Sequence, residues 1–386
     1  MIPYGRQDIS EGDIQAVADV LRSDFLTQGP TVPAFEDVVA EFCGVRFAIA
    51  ANSATSALHL ACLALDVGPG DTVWTSPITF VASANCAVYC GAKVDFVDID
   101  PVTANIGIAS LARKLALAKK NGALPKVVIP VHLSGKPCDM TAIRSLADQY
   151  GFKIIEDASH AIGAGYRGEP VGNCRFSDIV VFSFHPVKII TTAEGGMAVT
   201  NSSSLANRMR RLRAHGITRD PSEMSQGSEG PWYYEQIDLG FNYRMTDMQA
   251  ALGLSQMRRL REFVVKRAAI AARYDKLLED LPVKRPSRPS EGDSSWHLYV
   301  VRLDLENIGQ SHRAVFEALR AAGIGVNLHY IPVYRQPYYA RMGFVRDEFP
   351  EAEKYYSEAI SLPLYPALTA RQQDVVVDEI KRACAA

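Results

Sequence analysis

Phe176-Ser177-Asp178-Ile179-Val180-Val181-Phe182-Ser183-Phe184-His185-Pro186-Val187-Lys188-Ile189-Ile190-Thr191-Thr192-Ala193-Glu194-Gly195-Gly196-Met197-Ala198-Val199-Thr200 is the stretch on which the reading of this chain turns. Ile179-Val180-Val181-Phe182 is apolar, β-branched and too short for a helix, so it predicts a buried strand, and Met197-Ala198-Val199 predicts another. Lys188 lies in the connection between them. An ammonium held between buried strands has lost water, and desolvation lowers the pKa of a lysine. A lysine partly neutral near pH 7 is the amine that forms Schiff bases with aldehydes. A loop lysine is ordinarily just solvated, so the meaning of Lys188 depends on what the rest of the chain sets beside it.

The totals narrow the field. The chain has 386 residues, 48% hydrophobic and 22% charged, the balance of a globular protein with room for two or three domains and a large core. A formal net charge of −2 offers no electrostatic footprint for nucleic acid or an anionic membrane. Met1-Ile2-Pro3-Tyr4-Gly5-Arg6 lacks the layout of a signal peptide. Residues 47–65, the most apolar long stretch, contain Asn52, Ser53, Thr55, Ser56 and His59, which argues against a membrane span. Seven scattered cysteines, an odd number without a Cys-x-x-Cys, fit buried reduced thiols in a cytoplasmic protein. No zinc-spaced histidine pair, Walker A string or G-x-S-x-G is present, and no metal site is expected.

Read in order, the chain opens with a helix after a Ser10 cap and a second helix stopped near Gly44. Strands over 47–50, 72–75, 94–97, 127–131 and 153–156 then alternate with helices over 55–65, 81–89, 111–120 and 141–150. That alternation predicts an α/β fold with a mainly parallel sheet covered on both faces. Ligands on such sheets sit beyond the carboxyl ends of the strands. After residue 200 come an arginine-bearing helix over 205–212, read as a solvated face, and a polar stretch over 218–231, read as a mobile surface loop. A long helical stretch over 246–281 breaks near Glu262. Past Pro282, Pro286 and Pro289 a smaller α+β unit is expected: strands over 298–303 and 326–328, a helix over 312–322 and a closing helix after Thr369. Gly163-Ala164-Gly165-Tyr166-Arg167-Gly168 matches G-x-G-x-x-G as a string, but Glu169-Pro170 follows where a helix must start, so it reads as a turn and NAD is rejected.

Four places carry chemistry. Asn52-Ser53-Ala54-Thr55-Ser56 lies between a strand and an apolar helix, and free N–H groups with hydroxyls beside them would hold a phosphate dianion; plain N-capping is the other reading. Asp157 ends a buried strand and needs a cation or hydrogen bonds, for which a protonated pyridine nitrogen or an N-cap role would serve equally. His160, three residues on, either orients a bound ring or is a satisfied core histidine. Phe80, after Ser76-Pro77-Ile78-Thr79, either stacks on a flat ligand or packs in the core.

Asn52 to Leu58, Glu156-Asp157-Ala158-Ser159-His160, Ser183-Phe184-His185-Pro186-Val187-Lys188 and Asn242-Tyr243-Arg244-Met245-Thr246 occur in that order. Together they resemble the sugar aminotransferases of the DegT/DnrJ/EryC1/StrS family over essentially the whole chain. The resemblance implies the fold-type I architecture of pyridoxal 5'-phosphate (PLP) enzymes: a large domain with its N-terminal arm over 1–255, a small C-terminal domain over 256–386, and a homodimer with shared sites. It implies that Lys188 condenses with PLP, which cycles through pyridoxamine phosphate, and that Asp157 pairs with the pyridine nitrogen. Phe80 would stack on the ring and His160 would lie near its phenolic oxygen. Ala54, Thr55 and Ser183 would hold the phosphate, joined by Asn242 of the other subunit. Tyr4, Thr27, Gln28, Arg244, His329 and Tyr330 are the implied substrate-binding residues.

Ile2-Pro3-Tyr4, Leu26-Thr27-Gln28-Gly29, Pro77-Ile78-Thr79-Phe80-Val81-Ala82 and His329-Tyr330-Ile331-Pro332-Val333-Tyr334 are most similar to the members that serve pseudaminic acid biosynthesis. Those members aminate C4 of a UDP-linked 4-keto-6-deoxy-N-acetylhexosamine with glutamate as donor. The alternatives are a related aminotransferase acting on another dTDP- or UDP-linked keto sugar, and an inactive scaffold that has kept the fold. Sugar dehydratases of the same family carry histidine where this chain has Lys188. Two departures stand out: Ala54 replaces a common glycine, and Ala193 replaces the glycine of Thr-Thr-Gly-Glu-Gly-Gly. Tyr334-Arg335 falls in a segment expected to vary with the sugar.

Overall fold

The computed structural model describes residues 1–289 and 291–385. Its central sheet has seven strands: β1 (Phe47–Ala51), β2 (Thr72–Thr75), β3 (Lys93–Phe96), β4 (Val127–Ile129), β5 (Lys153–Asp157), β6 (Ile179–Ser183) and β7 (Gly196–Thr200). Their spatial order is β1-β7-β6-β5-β4-β2-β3. β2, β3, β4, β5 and β6 pair in parallel, and β7 runs antiparallel between β6 and β1. β6 and β7 are buried at every residue, as expected for strands with both faces covered.

Helices close over both faces. α1 (Glu11–Leu21) starts at a Ser10 capping box, and α2 (Thr31–Cys43) ends at Gly44. α3 (Ala54–Ala64), α4 (Ala82–Tyr89), α5 (Ile108–Lys120) and α6 (Met140–Tyr150) fill the crossovers, each within a few residues of its expected span. α7 (Ser203–Leu212) follows β7, and its arginines are paired rather than simply solvated: Arg208 with Asp66, Arg211 with Asp238 and Glu223. The G-x-G-x-x-G string is a turn, with Gly165–Tyr166 pairing Glu169–Pro170 around Arg167 and Gly168.

The long helical stretch divides into α8 (Asp247–Met257) and α9 (Leu260–Leu277), breaking at Arg258-Arg259, a few residues before the expected point. The reason is a tertiary anchor. The Arg259 guanidinium bonds Asp8 at 2.7 Å and Asp13 at 2.6 Å, tying the break to the N-terminal segment. α9 then bridges two cores, with Leu260 and Phe263 against the sheet and Ile270 and Tyr274 in a second cluster. That second cluster is built on the antiparallel strands β8 (Val283–Lys284), β9 (Tyr299–Leu303) and β10 (Ala359–Leu362), covered by α10 (His312–Ala321) and α11 (Ala370–Ala385).

Three further expectations need correction. Residues 326–328 form no strand; Asn327 makes a single bridge to Ser361, because the Val326 N–H turns back to the Ile324 carbonyl and the Leu328 N–H is taken by Asn327 Oδ1. β4 stops at Ile129, since Pro130 has no N–H to continue the ladder. The 218–231 stretch is pinned at its base, where Ile217–Thr218 pairs Glu235–Gln236 and the Glu235 carboxylate accepts the N–H groups of Ser225 and Gln226. Among the described residues no helix is long and apolar enough to cross a membrane.

Candidate active site

The strand register assembles the site. Gly196 of β7 sits opposite Ala51 of β1 on one side and Ser183 of β6 on the other, and Asp157 of β5 pairs in register with Val181 of β6. The ends of β1, β6 and β5 therefore open together at the carboxyl edge of the sheet. A cavity of about 960 Å³ lies there, lined by residues that include Ala54, Thr55, Phe80, Asp157, His160, Ser183 and Lys188.

Lys188 is held at the tip of the β6–β7 connection. The Phe184 N–H donates to the Gly195 carbonyl, and the Phe184 carbonyl accepts from Thr192 N–H and Thr191 Oγ1, closing the loop at its neck. Ile189 and Ile190 are buried beside Lys188 and anchor it. Loss of water lowers the Lys188 ammonium from its ordinary 10.5 to about 8, opposed only in part by the Asp157 carboxylate. A partly neutral amine in a cavity is the nucleophile the sequence pattern anticipates.

Asp157 is almost fully buried. Its Oδ2 accepts the Ser83 hydroxyl at 2.6 Å and its Oδ1 the Ser159 N–H at 3.1 Å. Two donors do not exhaust the four lone pairs of a carboxylate, so it can still face a cationic N–H. Ser53 caps α3 by accepting the Ser56 N–H, and the first intrahelical bond runs from Ala57 N–H to the Ser53 carbonyl. The N–H groups of Ala54 and Thr55 are thus free of helix partners at a positive dipole end, a fit for a dianion. A Cβ at Gly196 would meet the Ala54 nitrogen at 2.5 Å, so only glycine lets β7 approach this turn. Ser53 is a cap, and it leaves the N–H groups of Ala54 and Thr55 available beside it.

His160 Nδ1 accepts the Ser134 N–H at 3.2 Å, and its Nε2 lies 3.1 Å from Tyr330 Oη. Burial, reinforced by Lys188 and His329, holds it well below the usual imidazole range. Phe80 is 57% exposed with its ring at the cavity, so it is no core aromatic and offers a flat face. The residues present therefore fit a phosphorylated aldehyde with a basic ring nitrogen: amine, carboxylate, anion cradle and stacking face all border one space.

Tyr4, His329 and Tyr330 also line the cavity. Burial, with Lys188 adding to it, lowers His329 to about 3, and its Nδ1 meets Ser361 Oγ at 2.7 Å. Thr27, Gln28, Arg244 and Asn242 do not line the cavity. Thr27 bridges Thr246 at the start of α8, and the Asn242 carbonyl lies against the Asn52 side chain. Tyr334 is buried and Arg335 is paired with Glu353, both away from the cavity. Ser83, Ser134, His297 and Asn327 border or support the site without having been anticipated, because nothing in their local sequence marks them.

Comparison with known proteins agrees with this geometry. The DegT/DnrJ/EryC1/StrS aminotransferase family matches residues 7–381. The spore coat polysaccharide biosynthesis protein SpsC of Bacillus subtilis is 38% identical over 98% of this chain and 96% of its own. Among solved structures, Helicobacter pylori PseC, an aminotransferase involved in the biosynthesis of pseudoaminic acid, superimposes with a TM-score of 0.90 at 30% identity over 99% of both chains. The putative sugar aminotransferase Spr1654 of Streptococcus pneumoniae in its PLP form superimposes with a TM-score of 0.87 at 29% identity, over 99% of this chain and 98% of that one.

Proposed function

The chain belongs to the DegT/DnrJ/EryC1/StrS aminotransferase family and is a PLP-dependent sugar aminotransferase, and from that premise we propose that it moves an amino group from glutamate to C4 of a UDP-linked 4-keto-6-deoxy-N-acetylhexosamine. The sugar is UDP-2-acetamido-2,6-dideoxy-β-L-arabino-hex-4-ulose, and the pathway is that of pseudaminic acid. The likeness to H. pylori PseC over the full chain supports this choice. The observation that carries the chemistry is that Lys188 and Asp157 border one cavity with the free N–H groups of α3.

In this reading Ala54, Thr55 and Ser183 would hold the cofactor phosphate, Phe80 would cover its ring and the Asp157 carboxylate would favour a protonated ring nitrogen. The cofactor, when bound, supplies an electron sink for the charge that develops when a Cα–H bond breaks. Lys188 Nζ takes that proton from the amino donor and delivers one to C4 of the sugar in the second half-reaction. Tyr4, His329 and Tyr330, which line the cavity, would contact the sugar. The wall of one protomer's cavity contains no guanidinium among its described residues, although a dicarboxylate donor and a nucleotide diphosphate both demand cations. This supports a homodimer in which Asn242, Arg244, Thr27 and Gln28 of one subunit complete the site of the other.

A keto sugar on a different dTDP or UDP carrier is the second reading, favoured by the higher identity to SpsC. One experiment separates them. The PLP-loaded protein is incubated with glutamate and a panel of UDP- and dTDP-linked keto sugars, and the product is identified by mass spectrometry and NMR. Amination at C4 of the UDP-N-acetyl sugar is expected; turnover confined to another sugar would overturn the assignment.

A further inference from the structure

His297 borders the cavity, is only 3% exposed, and its Nδ1 has no hydrogen-bond partner. Its ring lies 4.3 Å from that of His160, centroid to centroid. The two residues are also joined through the main chain of Ser134. His297 N–H donates to the Ser134 carbonyl at 3.0 Å, and Ser134 N–H donates to His160 Nδ1 at 3.2 Å. Ser295 adds two further ties, its N–H to the Gly135 carbonyl at 3.1 Å and its hydroxyl to the His160 carbonyl at 2.8 Å. Gly135 has φ +89°, and a Cβ there would meet the His160 carbonyl oxygen at 2.8 Å, so the clip closes only over glycine. Residues 295–297 lead directly into β9, so the small unit is registered against the floor of the cavity.

The hydrogen positions follow from these bonds. A ring nitrogen that accepts an N–H carries no proton, so the neutral His160 imidazole holds its single hydrogen on Nε2. Nε2–H then donates to Tyr330 Oη at 3.1 Å. The phenolic hydrogen of Tyr330 is left to point elsewhere, and Tyr330 borders the cavity. Burial and the groups facing His160 keep it in this state: Lys188 from the β6–β7 connection and His329 from the segment after α10 act on it, and His297 with Arg267 of α9 behind it lies against its ring. Asp157 of β5, whose charge would favour a protonated imidazole, accepts from Ser83 and Ser159 and is countered by Lys188. Burial, then His160, Lys188, Arg267 and His329, keep His297 well below the usual imidazole range as well.

Resting on the aminotransferase reading for what fills the cavity, we propose that His297 is a positioning residue: its ring walls His160 into the single Nε2–H form that the Ser134 amide selects, so that Tyr330 offers a fixed hydroxyl donor to an acceptor oxygen bound in the cavity. Without that wall the His160 ring has room to turn, its Nδ1 leaves the Ser134 amide, and the direction of the Tyr330 hydrogen is no longer set.

The test uses full-length, cofactor-free protein labelled with nitrogen-15 at histidine, followed by two-bond proton–nitrogen correlation from about pH 5.5 to about pH 9. The chain has eight histidines, and His160→Gln identifies the signal of interest by its loss. The expected result is a His160 pattern of Nε2–H type that does not titrate. In His297→Ala it becomes an average of both tautomers, whereas His297→Phe, which keeps a ring wall and the main-chain N–H, retains the wild-type pattern. Thermal melting confirms that both variants fold. In loaded enzyme, His297→Ala should lower kcat about tenfold with KM for glutamate little changed. A wild-type His160 that titrates or carries its proton on Nδ1, or an unchanged pattern in His297→Ala, overturns the proposal. Absence of amino transfer by the wild type would sink the functional reading while leaving the tautomer measurement decisive.

Discussion

Replacing Lys188 by methionine should make the cofactor-free protein more stable while abolishing turnover. The ammonium of Lys188 is lowered from 10.5 to about 8 by loss of water, net of the attraction of Asp157. That difference corresponds to about 3 kcal/mol of penalty for holding the charged form in the folded protein. Methionine keeps the unbranched stem and removes the charge. Below about pH 8 the lysine is protonated in both folded and unfolded states, so the penalty is present in full and the variant is favoured by up to about 3 kcal/mol. Between pH 8 and 10.5 the folded protein binds fewer protons than the unfolded chain. Wild-type stability therefore rises through that window, and the advantage of the variant closes. Urea unfolding followed by tryptophan fluorescence, from about pH 6.5 to about pH 10.5, measures both stabilities directly. A variant no more stable than wild type at neutral pH, or a gap that does not shrink on raising the pH, would refute the claim that the cavity desolvates this amine.

Other changes probe the surrounding scaffold. Ala193 adopts φ +64°, a region that disfavours a Cβ, so Ala193→Gly should raise stability by about 0.5–1 kcal/mol in denaturant titrations with turnover unchanged. Gly196→Ala forces a Cβ onto backbone atoms of Ser53 and Ala54 at 2.5 Å; calorimetry should show destabilisation of more than about 2 kcal/mol, and PLP titration a lost phosphate cradle. Ser83→Ala removes the 2.6 Å donor to Asp157 and should cost about 1.5–3 kcal/mol by chemical denaturation, together with weaker retention of PLP on dialysis.

Much of the fold was legible in short patterns. The β-branched runs at 179–182 and 153–156 are strands in the structure, and Ser10, Ser53 and Thr246 cap the helices that follow them. Where the reading slipped, distant partners decided. Arg259 moved the α8–α9 break by binding Asp8 and Asp13, and the Ile2 carbonyl ties down Gly325 just ahead of 326–328, where Asn327 alone bridges to Ser361. The Gly-rich string at 163–168 was correctly set aside on its flanking residues alone, since a dinucleotide turn must open a helix and Glu169-Pro170 does not.

By itself the order of residues determined that a lysine would stand between two buried strands, that a carboxylate would end the strand beside them, and that a small-residue turn would start a helix nearby. Apolar periodicity and capping act over a few residues, so these features survive without any knowledge of the fold. Only the tertiary structure decided that Gly196 of β7 sits between the ends of β1 and β6. It alone brought Ser83 under Asp157 and set His297 against His160, partners 74 and 137 positions apart. Side chains that meet across crossovers are chosen by packing and desolvation of the assembled sheet, and neither quantity exists in a local stretch of chain.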